Sequence, residues 1–559
     1  LLFPPAKPTT PAAKATPAAG QTTPGATAAG APATGVAAAA PGAPAGTGAT
    51  IGAADSLAAA GAAGAAPVET TTVAGTRAAY RVSSQGGTLV GAEMLGYRAL
   101  APGRSGAVEL APRGQPLLAY RLVIPGDTLA LARTPMRVTR NGSTVRLEGT
   151  ASGRFNPSVP VALTYAFAPD DYTVKVQGSV QGVTGPAFLL VDMPETLAAT
   201  EQDTLDHFNN LAVAWKPAND DASSVHFRSL DPGEQELVAG PLAWAVTKSK
   251  YFLLGVLAPQ GQTFAELKVT GGVREAKVAT RAPATLVVPV TNGGFAFDGY
   301  VGPQEWRRLV AQGREFETSN PYGGWLQGIV QPFATIVIRA LLWMHDTLKL
   351  SYGWVLIALG VLVRLLLWPL QQNAMRSQIR MQRVQPDLAL IQQKHKNDPQ
   401  KLQQEMMRVY AEHGVSPFAM FTGCLPMLLP LPIFFALFFV FQNTIEFRGV
   451  PFLWMSDISI KDPFYILPVL VAATSFLMSY IGMKAAPPNP QTQMITYLMP
   501  AMFLFFFLNV AAGLNLYYLV QNMVAIPQQW LLTRERVKAG GPPGGKPVVQ
   551  GTPLKTKRA

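Results

Sequence analysis

The stretch 352–373, YGWVLIALGVLVRLLLWPLQQN, constrains this chain more than any other. From Tyr352 to Leu370 it is almost wholly apolar and about long enough to cross a bilayer as a helix. Inside it sits one full charge, Arg364, at a depth where an arginine costs roughly 2.5–3.5 kcal/mol on insertion scales. Two readings meet that cost. Either the guanidinium snorkels to the cytoplasmic interface, since few apolar residues follow it, or it faces a polar pocket within the membrane. The rest of the sequence fits the pocket better.

Basic residues flank the apolar segments, so the net charge of +12 points to a membrane surface rather than to nucleic acid. Segments 371–415 and 534–559 each hold seven Lys/Arg, which makes both cytoplasmic. Between them, 418–441 reads as a second span kinked by Pro426, Pro430 and Pro432, and Phe464–Met483 as a third. The apolar segment 494–531 is too long for one crossing and is interrupted by Asn509, Gly513 and Asn515. An even number of crossings is needed to leave the tail inside, so this segment is two spans turning near Asn509–Gly513. Everything before the first span is then extracytoplasmic.

Segment 371–415 carries two broken apolar stripes, Met375, Ile379, Leu388 and Ile391, then Leu402, Met406 and Val409. Asn397-Asp398-Pro399 between them reads as a helix start, so the segment is a hairpin of two antiparallel helices. It is either a solvated connector or a cytoplasmic contact device, with Arg380, Arg383, Lys394, Lys401 and Arg408 as the contact residues. In the last span Asn515, Tyr518, Asn522 and Gln529 fall at offsets 0, 3, 7 and 14, on one helix face. Thr474, Ser475 and Ser479 add polar character to the third span. Interhelical hydrogen bonding accounts for any one of these. The stripe together with Arg364 points to a partly hydrated groove.

The chain opens Leu1-Leu2-Phe3, which reads as the end of an upstream signal-anchor helix. Residues 1–67 are an Ala/Pro-rich disordered linker. From Val68 to about 305 short alternating runs recur: Ala78–Val82, Thr88–Met94, Leu117–Ile124, Met136–Thr139, Thr144–Glu148, Val161–Phe167, Tyr172–Val176, Trp244–Val246, Tyr251–Leu257, Phe264–Val269 and Thr285–Val290. Asn141-Gly142 marks a hairpin and Pro169-Asp170-Asp171 a turn, so a large β-sandwich is expected. Asp170/Asp171 and Asp220/Asp221 are sequence neighbours whose side chains diverge, which suits turns rather than catalysis. Residues 306–349 read as a connector and an interfacial amphipathic helix with Trp325, Ile329, Phe333, Ile336, Val337, Ala340, Leu341, Met344 and Leu348 on one face. Its apolar run from Pro332 to Met344 is too short to span. The single cysteine, Cys424, excludes an intrachain disulfide, and the scattered histidines, without CxxC or HExxH, give no metal site and no cofactor.

These residues carry a resemblance to the YidC/Oxa/Alb membrane protein insertase family, in its form with a large periplasmic domain. It rests on Val363-Arg364 followed by Trp368-Pro369-Leu370, and on Gln404-Glu405-Met406-Met407 with Tyr410. It rests further on Gly423-Cys424-Leu425-Pro426 with Pro432-Ile433-Phe434, on Asp462-Pro463-Phe464-Tyr465-Ile466-Leu467-Pro468, and on Gly513-Leu514 with Leu516-Tyr517-Tyr518. Asn522 and Gln528-Gln529 agree as well. The resemblance implies a five-span α-helical core plus an all-β periplasmic supersandwich similar in fold to sugar mutarotases but without their activity. The implied layout is a first span at 350–371, a cytoplasmic hairpin at 372–416, four further spans within 417–532 and a basic tail at 533–559. It implies Arg364 as the cation of a substrate groove also lined by Gly360, Asn515, Tyr517, Tyr518 and Asn522, with Tyr518 contacting substrate. Gly360 stands where some members have a threonine, and Pro430 is an extra helix breaker. The implied partners are nascent membrane proteins, the Sec translocon, ribosomes met through the tail and hairpin, and the lipid bilayer, with no small-molecule substrate. The expected function is non-enzymatic insertion in a bacterial inner membrane. A small-solute transporter or channel and a membrane-anchored carbohydrate-binding protein are the rival readings.

Overall fold

The computed structural model describes residues 68–275, 278–322, 326–396, 398–412, 430–484 and 490–538; the side chains at 373–386, 389, 410, 430–432, 484, 490–493, 495, 532 and 535–538 lie outside that description. The linker 1–67, the tail beyond 538, Cys424 and Pro426 therefore fall outside the described residues.

The region from 70 to 303 is all-β in its strands, as the alternation requires. Thr70–Ala74, Ala78–Ser83, Leu89–Arg98 and Ala107–Glu109 form a four-stranded antiparallel sheet. A fourteen-stranded sheet runs from an edge at Asp127–Ala130 to an edge at Met136–Asn141. Its longest strand, Gln235–Lys248, changes partner along its length. Its first part pairs with Phe264–Thr270 and its last part with Phe252–Leu257, across an irregularity between Ala239 and Leu242. Pro241 sits in that irregularity, where a missing N–H costs no ladder bond. Alternate residues fill the core: Val159, Val161, Leu163, Tyr165 and Phe167 are all buried on one strand. The hydroxyls of Tyr120 and Tyr165 pair at 2.7 Å, and Tyr165 donates to Gly87 O at 2.6 Å, so the buried phenols keep their hydrogen bonds.

The Asn141-Gly142 turn joins Met136–Asn141 to Thr144–Ala151, with Gly142 at φ 59°. Strands outside the expected runs include Ala187–Met193, Ala212–Pro217 and Gly294–Pro303. The last contains Gly299 and Gly302, residues of low β propensity. Packing explains Gly302: a Cβ there would come within 2.6 Å of the Tyr172 ring.

The described helices are Thr204–Asn209 (α1), Trp306–Ala311 (α2), Gln327–Leu348 (α3), Tyr352–Lys394 (α4), Pro399–Glu412 (α5), Pro430–Asn443 (α6), Ile466–Lys484 (α7), Pro490–Phe507 (α8) and Ala512–Lys538 (α9). Among described residues, α3, the Tyr352–Gln372 part of α4 and the Ile466–Met483 part of α7 are long and apolar enough to cross a membrane, and α6 and α8 contain shorter apolar stretches.

The first span and the first arm of the hairpin are one helix of 43 residues that runs through 371/372. Two expectations about α3 need correction. α3 has length and composition for a crossing, because its helix runs beyond the 332–344 apolar run. It is also apolar on two faces: Val330, Ala334, Ile338 and Leu341 are buried, whereas Ile329, Phe333 and Ile336 point outward. Thus the expected single face joins residues that the packing separates. The expected kink of the second span falls largely outside the described residues, of which Pro430 and Pro432 are the first and third in α6.

Candidate functional site: a polar seam between α4 and α9

Helices α4 and α9 pack against each other, and their contacts advance in the same direction along both. Gly513 faces Leu356, Gly360 meets Tyr517, Val520 and Gln521, and Arg364 meets Gln528. At Gly360 an added Cβ would lie 3.0 Å from Val520 Cγ1, so the absent side chain allows the close approach. Gln521 Nε2 donates to Gly360 O at 2.9 Å and to Tyr517 Oη at 2.8 Å. Deeper along the seam, Arg364 Nη2 donates to Gln528 Oε1 at 2.8 Å.

Arg364 is half-buried and makes no ion pair among the described residues. Its Nε, Gln528 Nε2 and Gln371 Oε1 are buried without a protein partner. Unpaired polar atoms buried in an apolar helix bundle are costly, about 1–3 kcal/mol each, and two of these three belong to the bonded Arg364–Gln528 pair. That cost marks the place as one for polar visitors rather than for packing alone.

The other residues expected in the groove do not share one surface. Tyr517 is buried beside Phe441 and Tyr518, with its hydroxyl in the seam. Tyr518 is half-buried among Phe434 and Phe507, at ring distances of 5.4 and 5.2 Å. Asn522 turns to α7, where its Nδ2 donates to Thr474 Oγ1 at 3.1 Å and Ser475 Oγ at 2.8 Å. Asn515 is 0% exposed, and its amide ties back to Phe507 O and Val510 O, closing the turn between α8 and α9. It holds the helix pair together and is removed from any surface. Gln521 and Gln528 were missed, although a signal existed. Gly360, Arg364 and Gln371 recur at steps of four and seven, and so do Tyr517, Gln521 and Gln528, as two parallel helices in register require.

Asp462 explains the local motif that follows it. Its carboxylate accepts from Trp454 Nε1 at 3.1 Å, Phe464 N at 3.0 Å and Leu467 N at 2.7 Å. It thereby fixes the loop and caps the start of α7. Of the hairpin residues, Lys394, Lys401 and Arg408 are exposed; the side chains of Arg380 and Arg383 lie outside the described residues. Lys401 pairs with Asp398 at 3.5 Å and Arg408 with Glu412 at 2.9 Å. Among the described residues no group of three or more His, Cys, Asp or Glu is arranged to hold a metal ion.

A β domain joined to helices long and apolar enough to cross a membrane, with a polar seam between two of them, defines an integral membrane protein. Residues 68–336 match the YidC periplasmic domain, and 343–539 match the 60Kd inner membrane protein family. A membrane protein insertase YidC of Anaeromyxobacter dehalogenans is 30% identical over 503 residues, covering 86% of this chain and 88% of the relative. Another from Anaeromyxobacter sp. is 35% identical over 305 residues, and there the match spans 53% of the relative's length. A solved active YidC insertase structure aligns over 83% of this chain and 94% of that one, at 18% identity and a TM-score of 0.32. The chain belongs to the YidC family of membrane protein insertases.

Proposed function

We propose that this chain inserts nascent membrane proteins into the bacterial inner membrane through the α4–α9 seam, without a catalysed chemical step. The observation that carries the reading is Arg364: a half-buried cation held by a neutral glutamine, with no acid paired to it among the described residues. In low dielectric such a charge attracts an acceptor-rich segment far more strongly than it would in water. A polar lining also lowers the cost of drawing a short hydrophilic tail into the membrane. Family membership displaces the transporter and carbohydrate-binding readings, which no observation favours.

In this reading the seam is one wall of a groove open to cytoplasm and lipid, and the β domain lies in the periplasm. The hairpin of α4 and α5 meets substrate from the cytoplasmic side, and the Sec translocon is a partner. The tail carries Arg534, Arg536, Lys538, Lys546, Lys555, Lys557 and Arg558 against the single acid Glu535, which suits docking on ribosomal RNA. The test is a photocrosslinker placed at Tyr518 during synthesis of a client. Crosslinks to the client's translocating segment support the groove. Crosslinks to lipid alone, with equal client yield from ribosomes stalled at every length, would refute it.

A further inference from the structure

We propose that Gln528 is the positioning residue of the groove cation: it aims Arg364 while leaving its charge uncompensated. The inference rests on the groove reading above and names the residue that sets its selectivity. Gln528 is 1% exposed, so its side chain is placed by packing and not by solvent. Its Oε1 takes one guanidinium N–H at 2.8 Å. An arginine tail carries about 2 kcal/mol of rotamer entropy when free, so one fixed acceptor matters to where the charge sits.

The chemistry of the partner is the point. A glutamate here would accept the same N–H and also neutralise the cation, because a buried Arg–carboxylate pair is a strong, charge-cancelling contact. The amide accepts without cancelling. The pair also keeps two donors free, Arg364 Nε and Gln528 Nε2. Both are buried, so it is the uncancelled positive charge that selects a carboxylate over a neutral group. Gln521 does not do this work: its amide is spent on Gly360 O and Tyr517 Oη. Asn522 is spent on α7.

A purely structural role, an interhelical hydrogen bond joining α4 to α9, makes a different forecast. Two variants separate the cases, Gln528→Glu and Gln528→Met, each assayed in membranes for insertion of one client with an acidic and with a neutral translocated tail. Protein level in the membrane is measured for each. With Gln528→Glu, acidic-tail insertion is expected to fall about tenfold while neutral-tail insertion changes less than about twofold. Gln528→Met keeps the charge but loses its aim, so the acidic-tail loss is about threefold, again with the neutral tail spared. In an Arg364→Ala background, Gln528→Met is expected to change neither client, since the two residues act as a unit. Equal losses for both clients, or no loss for either, overturn the proposal. If Arg364→Ala itself shows no dependence on tail charge, the groove reading fails. If it does and neither Gln528 variant does, only this inference fails.

Discussion

Lys248 is a buried cation in the β domain. It is buried, and its ammonium donates to Asn320 Oδ1, whose own amide donates to Gln304 Oε1. With no acid in that chain of contacts, burial pushes its pKa down to about 8 from 10.5. Between those values the unfolded chain holds a proton that the folded chain has released, so stability rises with pH through the window and carries the full cost below it. The melting temperature is expected to climb from pH 8 to pH 10, and Lys248→Met should flatten that rise; a rise that persists in the variant would contradict the assignment. Arg364 was legible from the sequence because one charge in an apolar run has no neighbour to hide it. Gln528 was legible only in part, because its steps of four and seven match those on α4 but carry meaning only once the two helices are known to pair. Asn515 misled for a related reason: its spacing fits a polar stripe, but the turn next to it claims its amide.

Among elements, the hairpin contrasts with the apolar helices it extends. Among the described residues its two arms share a small apolar cluster of Leu388, Val409, Ile391 and Met406. Its ion pairs are exposed, and such pairs contribute at most about 1 kcal/mol. α6, by comparison, buries Ala436, Leu437, Val440 and Phe441 in the helical core. Low local contact with the core means low opening energy. Amides of 399–412 are expected to exchange faster than those of 433–443 in a bilayer; equal protection would contradict this. The helix start at Pro399 was readable from Asn397-Asp398-Pro399, and Asp398 Oδ1 does accept from Lys401 N at 3.1 Å. The continuity of α4 through 371/372 was not readable, since polarity changes there while helix propensity does not.

At the scale of the whole molecule, Arg448 is among the side chains that tie the helical region to the β domain. Arg448 leaves the loop after α6 and enters the β domain, where it is 4% exposed on its side chain. Its Nε donates to Glu201 Oε2 at 2.9 Å, its Nη2 donates to Arg98 O at 3.0 Å, and its guanidinium lies over the Tyr251 and Phe252 rings. Its partner stands 247 residues away, a pairing that no local sequence pattern reveals. Arg448→Ala strands Glu201 and is expected to cost about 3 kcal/mol. In a thermal melt this separates β-domain unfolding from that of the helices, whereas an unchanged single transition would show the contact to be incidental. The central claim concerns Arg364, and the most direct measurement is insertion of one client, in acidic-tail and neutral-tail versions, by the wild-type chain, Arg364→Lys and Arg364→Ala at matched membrane levels. Arg364→Lys is expected to keep much of the activity, since a point charge still attracts a carboxylate. Arg364→Ala is expected to lose acidic-tail insertion by about tenfold and to spare the neutral tail; equal loss for both tails would contradict the electrostatic account.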